Sequence, residues 1–329
     1  MSKIDLKNIS HSYNPNDPNP TYALNPFSMT WENGKRYAIL GPSGCGKTTM
    51  LNIVSGLVRP SAGNILFDDK DVTNLKTESR NIAQVFQFPV IYNTMTVYEN
   101  LAFPLKCRDF LKDKIEERVN SVADTLNLKS FLNSPARKLT ADQKQLISLG
   151  RGLVREDVAA VLMDEPLTVI DPDLKFRLRR KLKEINEEFK TTLVYVTHDQ
   201  NEAMTFADNI IVMSEGEVVQ AGTPKELFER PNTTFVGYFI GSPAMNLFES
   251  EVSSNDGVKI NNTLVKTNTD LSSLKSKNIK LGIRSEFIKI AKNQKENILN
   301  VDEEKVEELG NYKLLTAKMG NLTIKSKIN

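Results

Sequence analysis

The chain has 329 residues, 40% of them hydrophobic and 26% charged, and this composition excludes a disordered or collagen-like protein. Its length suits two or three packed units, because a single core stops growing at roughly 250 to 300 residues. Since 43 basic residues face 41 acidic ones, the net charge of +2 is too small to indicate a nucleic-acid partner. The two cysteines, Cys45 and Cys107, lie outside any CxxC spacing, so we expect neither a disulfide framework nor a His/Cys zinc site.

The N-terminus and the apolar runs indicate where the chain resides. The first ten residues, MSKIDLKNIS, lack the apolar region of a signal peptide. The longest clean apolar run, residues 158–163, falls far short of the ~20 residues that span a bilayer. We therefore expect a chain that is made and kept in the cytoplasm.

Short aliphatic runs alternate with helical patterns over residues 1–240, which is typical of an α/β unit around a mostly parallel sheet. Residues 14–20 (NPNDPNP) form a turn-rich loop that cannot lie inside a strand. Three predicted strands, residues 36–40, 159–163 and 192–197, each end directly at polar residues. The carboxyl edge of such a sheet is where ligands bind, so we expect the site there.

Between the first two of these strands, residues from about 88 to 155 show no strong alternation and predict a mostly helical insertion. Its clearest helix covers residues 112–126, with Pro104 and Pro135 opening and closing the helical region. Farther along, residues 174–189 carry apolar side chains every three or four positions, which predicts one buried helix face. The basic residues between them are most simply a solvated face.

Past Gly241 the composition becomes richer in Lys, Asn and Ser, and polar and apolar residues alternate over short runs at residues 280–283 and 322–327. This pattern predicts a small β domain over residues 241–329. The expected organisation is therefore a large α/β domain, residues 1–240, followed by this β domain.

Residues 41–48 (GPSGCGKT) match the phosphate-loop pattern GxxxxGK[ST] in full, after a predicted strand and at the start of a predicted helix. Glycines let backbone N–H groups turn inward around phosphate oxygens, and the helix N-terminus adds partial positive charge. Lys47 is then expected to reach the β- and γ-phosphates of ATP, and the Thr48 hydroxyl to coordinate Mg²⁺. A glycine-rich turn that merely starts a helix is the alternative. The predicted nucleotide-binding residues here are Gly41, Pro42, Ser43, Gly44, Cys45, Gly46, Lys47, Thr48 and Thr49.

Cys45 lies inside this loop, at the predicted helix N-terminus, where the pKa of a thiol tends to be lowered. We therefore expect an alkylating reagent to block ATP binding and MgATP to protect the thiol. The alternative is a small filler residue that happens to be cysteine.

Two adjacent carboxylates, Asp164 and Glu165, end the second predicted strand. One such group can hold the Mg²⁺ shell while its neighbour faces the attacking water, so we assign Asp164 to the metal and Glu165 to the water as general base. His198 ends the third strand in the same way. A lone histidine at a strand end is more often structural, but the shared sheet edge favours a functional role.

With these motifs in order over residues 1–240, the chain resembles the ATP-binding subunits of ABC transporters. The resemblance implies a P-loop NTPase cassette, with a RecA-like core and a helical subdomain. It further implies that Gln87 senses Mg²⁺ and the γ-phosphate and relays this to a membrane partner. Tyr13 corresponds to the aromatic residue that stacks on adenine, with Tyr22 as its rival and a core tyrosine as the alternative for either. Asp171 matches the aspartate that communicates between paired cassettes, although Thr-Val replaces the usual Ser-Asn before it.

The family signature Leu-Ser-Gly-Gly-Gln is altered to LTADQ at residues 139–143, and Leu146 replaces an expected arginine. In this family two cassettes pack head to tail, so each ATP lies between one phosphate loop and the other subunit's signature. The resemblance implies that Thr140 and Gln143 face nucleotide, while Asp142 brings a carboxylate near the triphosphate. Two like charges about 5 Å apart cost on the order of 3 kcal/mol at an effective dielectric near 20. A homodimer would suffer this cost twice, so we expect a heterodimer whose partner ATPase has an intact signature.

The C-terminal region indicates which group of ABC transporter ATPases the chain resembles. FIGSPAMN at residues 239–246 and LGIR at residues 281–284 resemble the junction and OB-like β domain of carbohydrate importer ATPases of the maltose and glycerol 3-phosphate type. Residues 81–92 (NIAQVFQFPVIY), the altered signature and residues 312–317 (YKLLTA) are similar to the variant ATPase of bacterial glycerol importers. The chain ends before that family's final strands, so the resemblance implies an OB-like barrel that is incomplete.

The expected protein is an ATPase that hydrolyses MgATP to power a bacterial importer of a small polyol or carbohydrate, with glycerol first and glycerol 3-phosphate or a sugar as alternatives. The implied partners are the second ATPase, two membrane permeases and, indirectly, a periplasmic or lipid-anchored solute-binding protein. The implied location is peripheral, on the cytoplasmic face of the plasma membrane. A soluble, non-transport ABC ATPase and a non-hydrolysing regulatory subunit are the competing classes; the former normally carries a coiled-coil insertion or two cassettes, and intact Glu165 and His198 argue against the latter.

Overall fold

The computed structural model describes residues 2–168, 170–274, 278–291 and 296–328. The chain divides into two compact units, one ending at Pro224 and the other beginning at Lys225. The strands of the first unit are β1 (Ile4–His11), β2 (Leu24–Trp31), β3 (Arg36–Leu40), β4 (Ala62–Phe67), β5 (Lys70–Asp71), β6 (Ile82–Val85), β7 (Ala160–Asp164), β8 (Leu193–Thr197), β9 (Asn209–Ser214) and β10 (Glu217–Gly222). Its helices are α1 (Lys47–Ser55), α2 (Val97–Lys106), α3 (Lys112–Thr125), α4 (Ala141–Leu153), α5 (Pro172–Phe189) and α6 (Gln200–Phe206).

The central sheet of the first unit has the strand order β10-β9-β3-β8-β7-β6 in the described part of the chain. Neighbouring strands from β9 to β6 are parallel, and β10 pairs antiparallel with β9. Strands β7 and β8 are buried at every position, which explains why they read as continuous apolar runs. Because β3, β7 and β8 are adjacent and parallel, their carboxyl ends meet at one edge. The predicted α/β class and the three predicted strands are confirmed, each within one residue of its expected bounds.

A second sheet, ordered β2-β1-β4-β5, is antiparallel among the described residues. Its buried face contributes Ile4, Leu24 and Trp31 to the same hydrophobic cluster as Met50 and Ile53 of α1. The helix that follows the phosphate loop is therefore packed between the two sheets by apolar burial. Residues 14–20 contain no strand, as the sequence predicts.

The segment between β6 and β7 contains α2, α3 and α4, which share one hydrophobic cluster with α5. Thr96 begins α2 with a capping box in which its hydroxyl accepts from the Glu99 N–H and the Glu99 carboxylate accepts from the Thr96 N–H. Pro104 lies inside α2, near its end, rather than opening the helical region as the sequence suggested. Among the described residues, no helix is long and apolar enough to cross a membrane.

The second unit contains α7 (Pro224–Glu229), which starts at the boundary, and α8 (Thr234–Phe239), followed by β11 (Asn246–Ser254), β12 (Gly257–Ile260), β13 (Thr263–Lys266), β14 (Asn278–Ile283), β15 (Asp302–Glu308), β16 (Lys313–Met319) and β17 (Leu322–Ile328). One antiparallel sheet has the order β13-β12-β11-β14, and another has the order β15-β16-β17, for the strands that the structure describes. Asn246 joins the two sheets, because its amide nitrogen donates to the Lys325 carbonyl oxygen and its Oδ1 accepts from the Lys325 N–H. Phe248, Val258 and Ile324 lie in the shared core. The antiparallel strands agree with the predicted OB-like domain.

The boundary between the two units lies before residue 240, which is where the sequence placed it. The reason is that Arg284 hydrogen-bonds α7 and α8 to the β domain. Its guanidinium donates to the carbonyl oxygens of Phe228, Gly237 and Ile240 and lies 4.3 Å from the centroid of the Phe228 ring. Burial lowers the pKa of Arg284. The helices that the sequence placed in the first domain are thus hydrogen-bonded to the second.

Candidate functional site

The phosphate loop connects β3 to α1 at the carboxyl edge of the central sheet. A Cβ on Gly41 would lie 2.2 Å from the Met213 carbonyl oxygen, and one on Gly46 would lie 2.4 Å from the Ala23 carbonyl oxygen. Gly46 also has a φ of +99°, which other residues rarely adopt. Close backbone packing therefore requires glycine at both positions.

The start of α1 is open to an anion. Gly46 is the N-cap residue and offers no side-chain cap, and no acidic residue occupies the first turn of this helix, all of which the structure describes. The N-cap residue therefore gives the first backbone N–H groups of the helix no side-chain acceptor, and these groups carry the partial positive charge of a helix N-terminus. This arrangement fits a phosphate group.

Lys47 is buried, and its ammonium group is folded back onto the phosphate loop. Its Nζ donates to the carbonyl oxygens of Gly41 and Pro42, each at 2.8 Å. Ser43 and Gly44, by contrast, are exposed on the loop. The ammonium thus lies directly beside the loop backbone that would surround a phosphate.

Cys45 differs from its prediction. The thiol is only 3% exposed, and burial raises its pKa, although the Lys47 charge, 3.9 Å away at Nζ, acts in the opposite direction. The expectation of a lowered pKa was therefore wrong, because desolvation of a thiolate outweighs the helix N-terminus here. The same burial agrees with the alternative, a small residue that fills space beneath the loop.

Asp164 ends β7 beside the phosphate loop. Burial raises the pKa of its carboxyl, while a hydrogen bond with the Thr48 hydroxyl lowers it. The Glu165 charge adds to the increase and the Lys47 charge opposes it, so that the pKa of Asp164 stays raised. The structure thus brings together two of the predicted protein ligands of Mg²⁺, Thr48 at the start of α1 and Asp164 at the end of β7. A buried carboxylate beside a hydroxyl offers the hard oxygen donors that Mg²⁺ prefers.

Glu165 and His198 are in contact. Glu165 Oε1 lies 3.1 Å from His198 Nδ1, and the Thr168 hydroxyl lies 3.3 Å from Glu165 Oε2. The backbone N–H of Glu165 donates to Val196 of β8 at 3.1 Å. Glu165 has a φ of +43°, which is uncommon for a residue with a side chain and is typical of strained functional turns. These contacts fix the position of the carboxylate at the sheet edge.

Gln87 lies two residues after β6, at the same edge, and is exposed. The register pairs Val85 with Met163, so the segment carrying Gln87 leaves the sheet next to the one carrying Asp164. The structure therefore places Gln87 beside the predicted metal ligands in topology, but it shows no direct contact with Asp164 among the described residues.

Tyr13 lies beside α1. Its hydroxyl is 3.1 Å from Thr49 Oγ1, and its ring meets His11 edge-on with 4.6 Å between centroids. The side chain is 62% exposed, so it is not a core residue and its ring is open to a ligand. Tyr22 is also exposed, at 42%. The contact with Thr49 favours Tyr13 over its rival.

The altered signature begins α4. Thr140 is the N-cap residue, and its N–H donates to Gln143 Oε1 at 3.1 Å. Its hydroxyl donates to the Asp142 carboxylate, which lies in the first turn, where a helix N-terminus stabilises negative charge. The Thr140 hydroxyl, which the resemblance predicts to face nucleotide, is thus hydrogen-bonded to Asp142. Asp142 has no ion-pair partner within the described ranges.

Asp171 is the N-cap residue of α5. Its carboxylate accepts from the N–H groups of Asp173 at 3.0 Å and Leu174 at 3.3 Å. Val169, part of the altered Thr-Val pair before Asp171, lies outside the described residues. Capping alone explains an aspartate at this position, so its expected role between paired cassettes stays a prediction.

Sequence reasoning missed two buried charged residues behind the site. Arg80 donates to the carbonyl oxygens of Ile53 at 2.8 Å and Val54 at 3.0 Å, and so caps the end of α1. Glu202 accepts from the hydroxyl groups of Tyr195 and Thr197, each at 2.9 Å, immediately before His198. The sequence did not point to either residue, because the partners of Arg80 are backbone carbonyls and those of Glu202 are hydroxyl groups on the neighbouring strand β8.

Comparison with known proteins agrees with this geometry. Residues 24–168 match the family model described as ABC transporter. The sn-glycerol-3-phosphate import ATP-binding protein UgpC of Psychromonas ingrahamii is 40% identical over 97% of this chain and 83% of its own length. A UgpC protein of Agrobacterium fabrum is 42% identical over 78% of this chain and 71% of its own length.

Solved structures show the same fold. CbiO1 of Clostridium perfringens, part of the cbiONQ transporter complex, aligns with a TM-score of 0.62 and 28% identity over 69% of this chain and 90% of its own. The cassette MJ0796, solved as a dimer with ADP and Pi, aligns with a TM-score of 0.61 and 28% identity over 67% of this chain and 98% of its own. On the strength of these relatives and of its site, the chain belongs to the ABC transporter family as an ATP-binding subunit that couples ATP hydrolysis to transport.

Proposed function

We propose that this chain is one half of an asymmetric ATPase pair that powers import of a small polyol, with glycerol as the solute. Residues at one edge of the central sheet would bind and hydrolyse ATP. The altered signature is the single observation that supports a pair of unlike ATPase subunits.

Nucleotide binding is assigned to the phosphate loop, with Tyr13 stacking on adenine beside Thr49. The open N-terminus of α1 would bind phosphate oxygens, and Lys47 would exchange its loop carbonyl partners for them. Among the described residues, no cluster of three or more His, Cys, Asp or Glu side chains could hold a metal ion by itself. Thr48, Asp164 and Gln87 would therefore hold Mg²⁺ together with nucleotide oxygens, and the ion would neutralise charge on the phosphates.

Glu165 is the proposed general base. The contacts with His198 and Thr168 orient its carboxylate, and a fixed carboxylate can accept a proton from an attacking water more readily than a mobile one. His198 is 58% exposed on its side chain, so it can face the nucleotide while contacting Glu165. We assign His198 the positioning of the base and of the γ-phosphate.

The partner ATPase follows from the signature. In a head-to-tail pair this segment would face the partner's triphosphate, where the Asp142 carboxylate adds a like charge and occupies the Thr140 hydroxyl. A partner with an intact signature would serve this chain's complete site. Gln143 Oε1 accepts from the Thr140 N–H, so the amide nitrogen of Gln143 would be the group that donates to a nucleotide oxygen.

Exposed apolar side chains support a permease partner. Phe86, Phe88, Val90 and Tyr92 are all at least 36% exposed and flank Gln87. A patch of this kind next to a site that reports the state of the nucleotide is typical of a protein interface. Two permeases would hold the chain peripherally at the cytoplasmic face of the membrane, and a solute-binding protein would act indirectly from the other side.

Glycerol and glycerol 3-phosphate are each favoured by a different observation. The motifs at residues 81–92, 139–143 and 312–317 favour glycerol, whereas the relatives named above as sn-glycerol-3-phosphate importers favour the phosphorylated solute. The cassette does not itself contact the solute, so transport by the assembled transporter must be measured to distinguish the two solutes.

The test is uptake of radiolabelled glycerol or glycerol 3-phosphate by vesicles that contain this chain with its cognate ATPase and permeases. ATP-driven uptake of glycerol supports the proposal. Uptake of glycerol 3-phosphate alone would show that glycerol 3-phosphate, and not glycerol, is the solute. Uptake of neither compound, with ATPase activity intact, refutes both solutes.

A further inference from the structure

Helix α4 is fixed to the segment after β6 along one face. Gln145, Ser148 and Arg151 follow one another at intervals of three residues, so they share that face. Ser148 Oγ accepts from the Val90 N–H at 3.3 Å, and Arg151 donates to the Val90 carbonyl oxygen. The helix that begins at the altered signature is therefore hydrogen-bonded to the backbone of the segment that contains Gln87.

Gln145 extends this attachment to the catalytic turn. It is fully buried, and its amide nitrogen donates to the carbonyl oxygens of Phe86 at 3.1 Å and Pro166 at 2.9 Å. Phe86 precedes Gln87, and Pro166 follows Glu165. One amide group thus joins the backbone just after β6 to the backbone just after β7, next to the proposed nucleotide sensor and the proposed base.

The hydrogen bonds to Phe86 and Pro166 constrain the orientation of the Gln145 side-chain amide. Both partners are carbonyl oxygens, so only the NH₂ end of the amide can serve them, and the side-chain oxygen has no hydrogen-bond partner within the described parts of the chain. A buried polar atom left unpaired is uncommon and calls for a reason. Holding two carbonyls at a fixed separation supplies that reason.

We propose that Gln145 is a positioning residue, which couples the signature helix to the loops of Gln87 and Glu165. The inference rests on the proposed roles of those two residues. A shift of α4 on contact with a partner cassette would reach both loops through one rigid side chain, and the base would be aligned only when α4 is seated.

The test replaces Gln145 by Met, which keeps the volume but removes both donors. In the assembled transporter we expect kcat to fall at least about tenfold, since small misplacements of a base are costly, while KM for ATP and ATP affinity of the full chain change less than about threefold. Gln145→Asn keeps the amide on a shorter side chain, and we expect its kcat to lie between those of Gln145→Met and the wild type.

Asn186 of α5 provides a matched control. It is also a buried amide whose nitrogen donates to two backbone carbonyls, those of Gly34 at 3.0 Å and Thr191 at 2.7 Å, but these precede β3 and β8 at the opposite edge of the sheet. Asn186→Leu should lower Tm as much as Gln145→Met and leave kcat unchanged.

Three results overturn the inference: wild-type kcat in Gln145→Met, wild-type kcat in Gln145→Asn, or an equal loss of kcat in Asn186→Leu. Glu165→Gln is measured in parallel. If Glu165→Gln remains active, the proposed function fails, whereas if it is inactive and Gln145→Met is fully active, only the coupling role of Gln145 fails.

Discussion

At the scale of single residues, the contact between Glu165 and His198 makes the proposed chemistry testable. Replacing Glu165 by Gln keeps the size of the side chain and its contacts with His198 and Thr168, but removes the base. We expect turnover of the assembled transporter to fall by roughly 100-fold or more, with ATP affinity retained. Steady-state ATPase assays and equilibrium nucleotide binding measure the two effects.

Lys47→Ala is the control for that experiment, because it should weaken nucleotide binding itself by removing a charge beside the loop. Unchanged ATP hydrolysis in the Glu165 variant would exclude Glu165 as the base.

Burial of Cys45 predicts slow chemistry at the phosphate loop. Because burial raises the pKa of this thiol, the reactive thiolate is scarce at neutral pH and becomes more abundant as pH rises toward that pKa. We expect alkylation of Cys45 at pH 7.5 to be at least about tenfold slower than alkylation of the exposed Cys107, and to be slowed further by MgATP. Mass spectrometry of the two modified peptides gives both rates in one sample. Equal rates at Cys45 with and without nucleotide would contradict its placement beneath the nucleotide.

At the scale of secondary-structure elements, Arg284 holds α7 and α8 to the β domain. Arg284→Met removes the donors to three carbonyls, of which those of Gly237 and Ile240 are buried, so the second unit should lose about 3 kcal/mol of stability. Lys280→Met is the control, since its pair with Glu249 is exposed and should contribute less than about 1 kcal/mol. Hydrogen–deuterium exchange in β11 and β14 measures the change in this unit. Equal protection in the two variants would show that Arg284 is dispensable.

At the scale of the whole molecule, the altered signature predicts a chain that is incomplete by itself. Purified alone, it should bind ATP but hydrolyse it poorly, because closing on a second copy would place two Asp142 carboxylates against two triphosphates. Adding the partner ATPase should restore turnover, and this is measured by titrating one purified ATPase with the other. A homodimer with full coupled activity would disprove the asymmetric pair, though not the family assignment.

Within that pair, Asp142→Gly releases the Thr140 hydroxyl and removes one charge from the first turn of α4. Because the ATP site that LTADQ faces in an asymmetric pair would mainly hold nucleotide, we expect turnover of the pair to change less than about threefold. The equivalent damage to the partner's signature should abolish hydrolysis at this chain's Glu165. Loss of all activity in Asp142→Gly would mean that LTADQ itself serves a catalytic site.

The sequence alone determined the phosphate loop, the acidic strand end and the buried strands, because each depends on local rules: glycine conformations, a contiguous motif and continuous apolar runs. Tertiary structure alone decided contacts between residues far apart in the chain. The Tyr13 contact with Thr49, the Arg284 attachment of α7 and α8, and the Gln145 bonds to Phe86 and Pro166 pair side chains with backbone or hydroxyl groups that carry no motif. The pKa of Cys45 was misjudged for the same reason, since desolvation depends on what packs around a thiol and not on its neighbours in sequence.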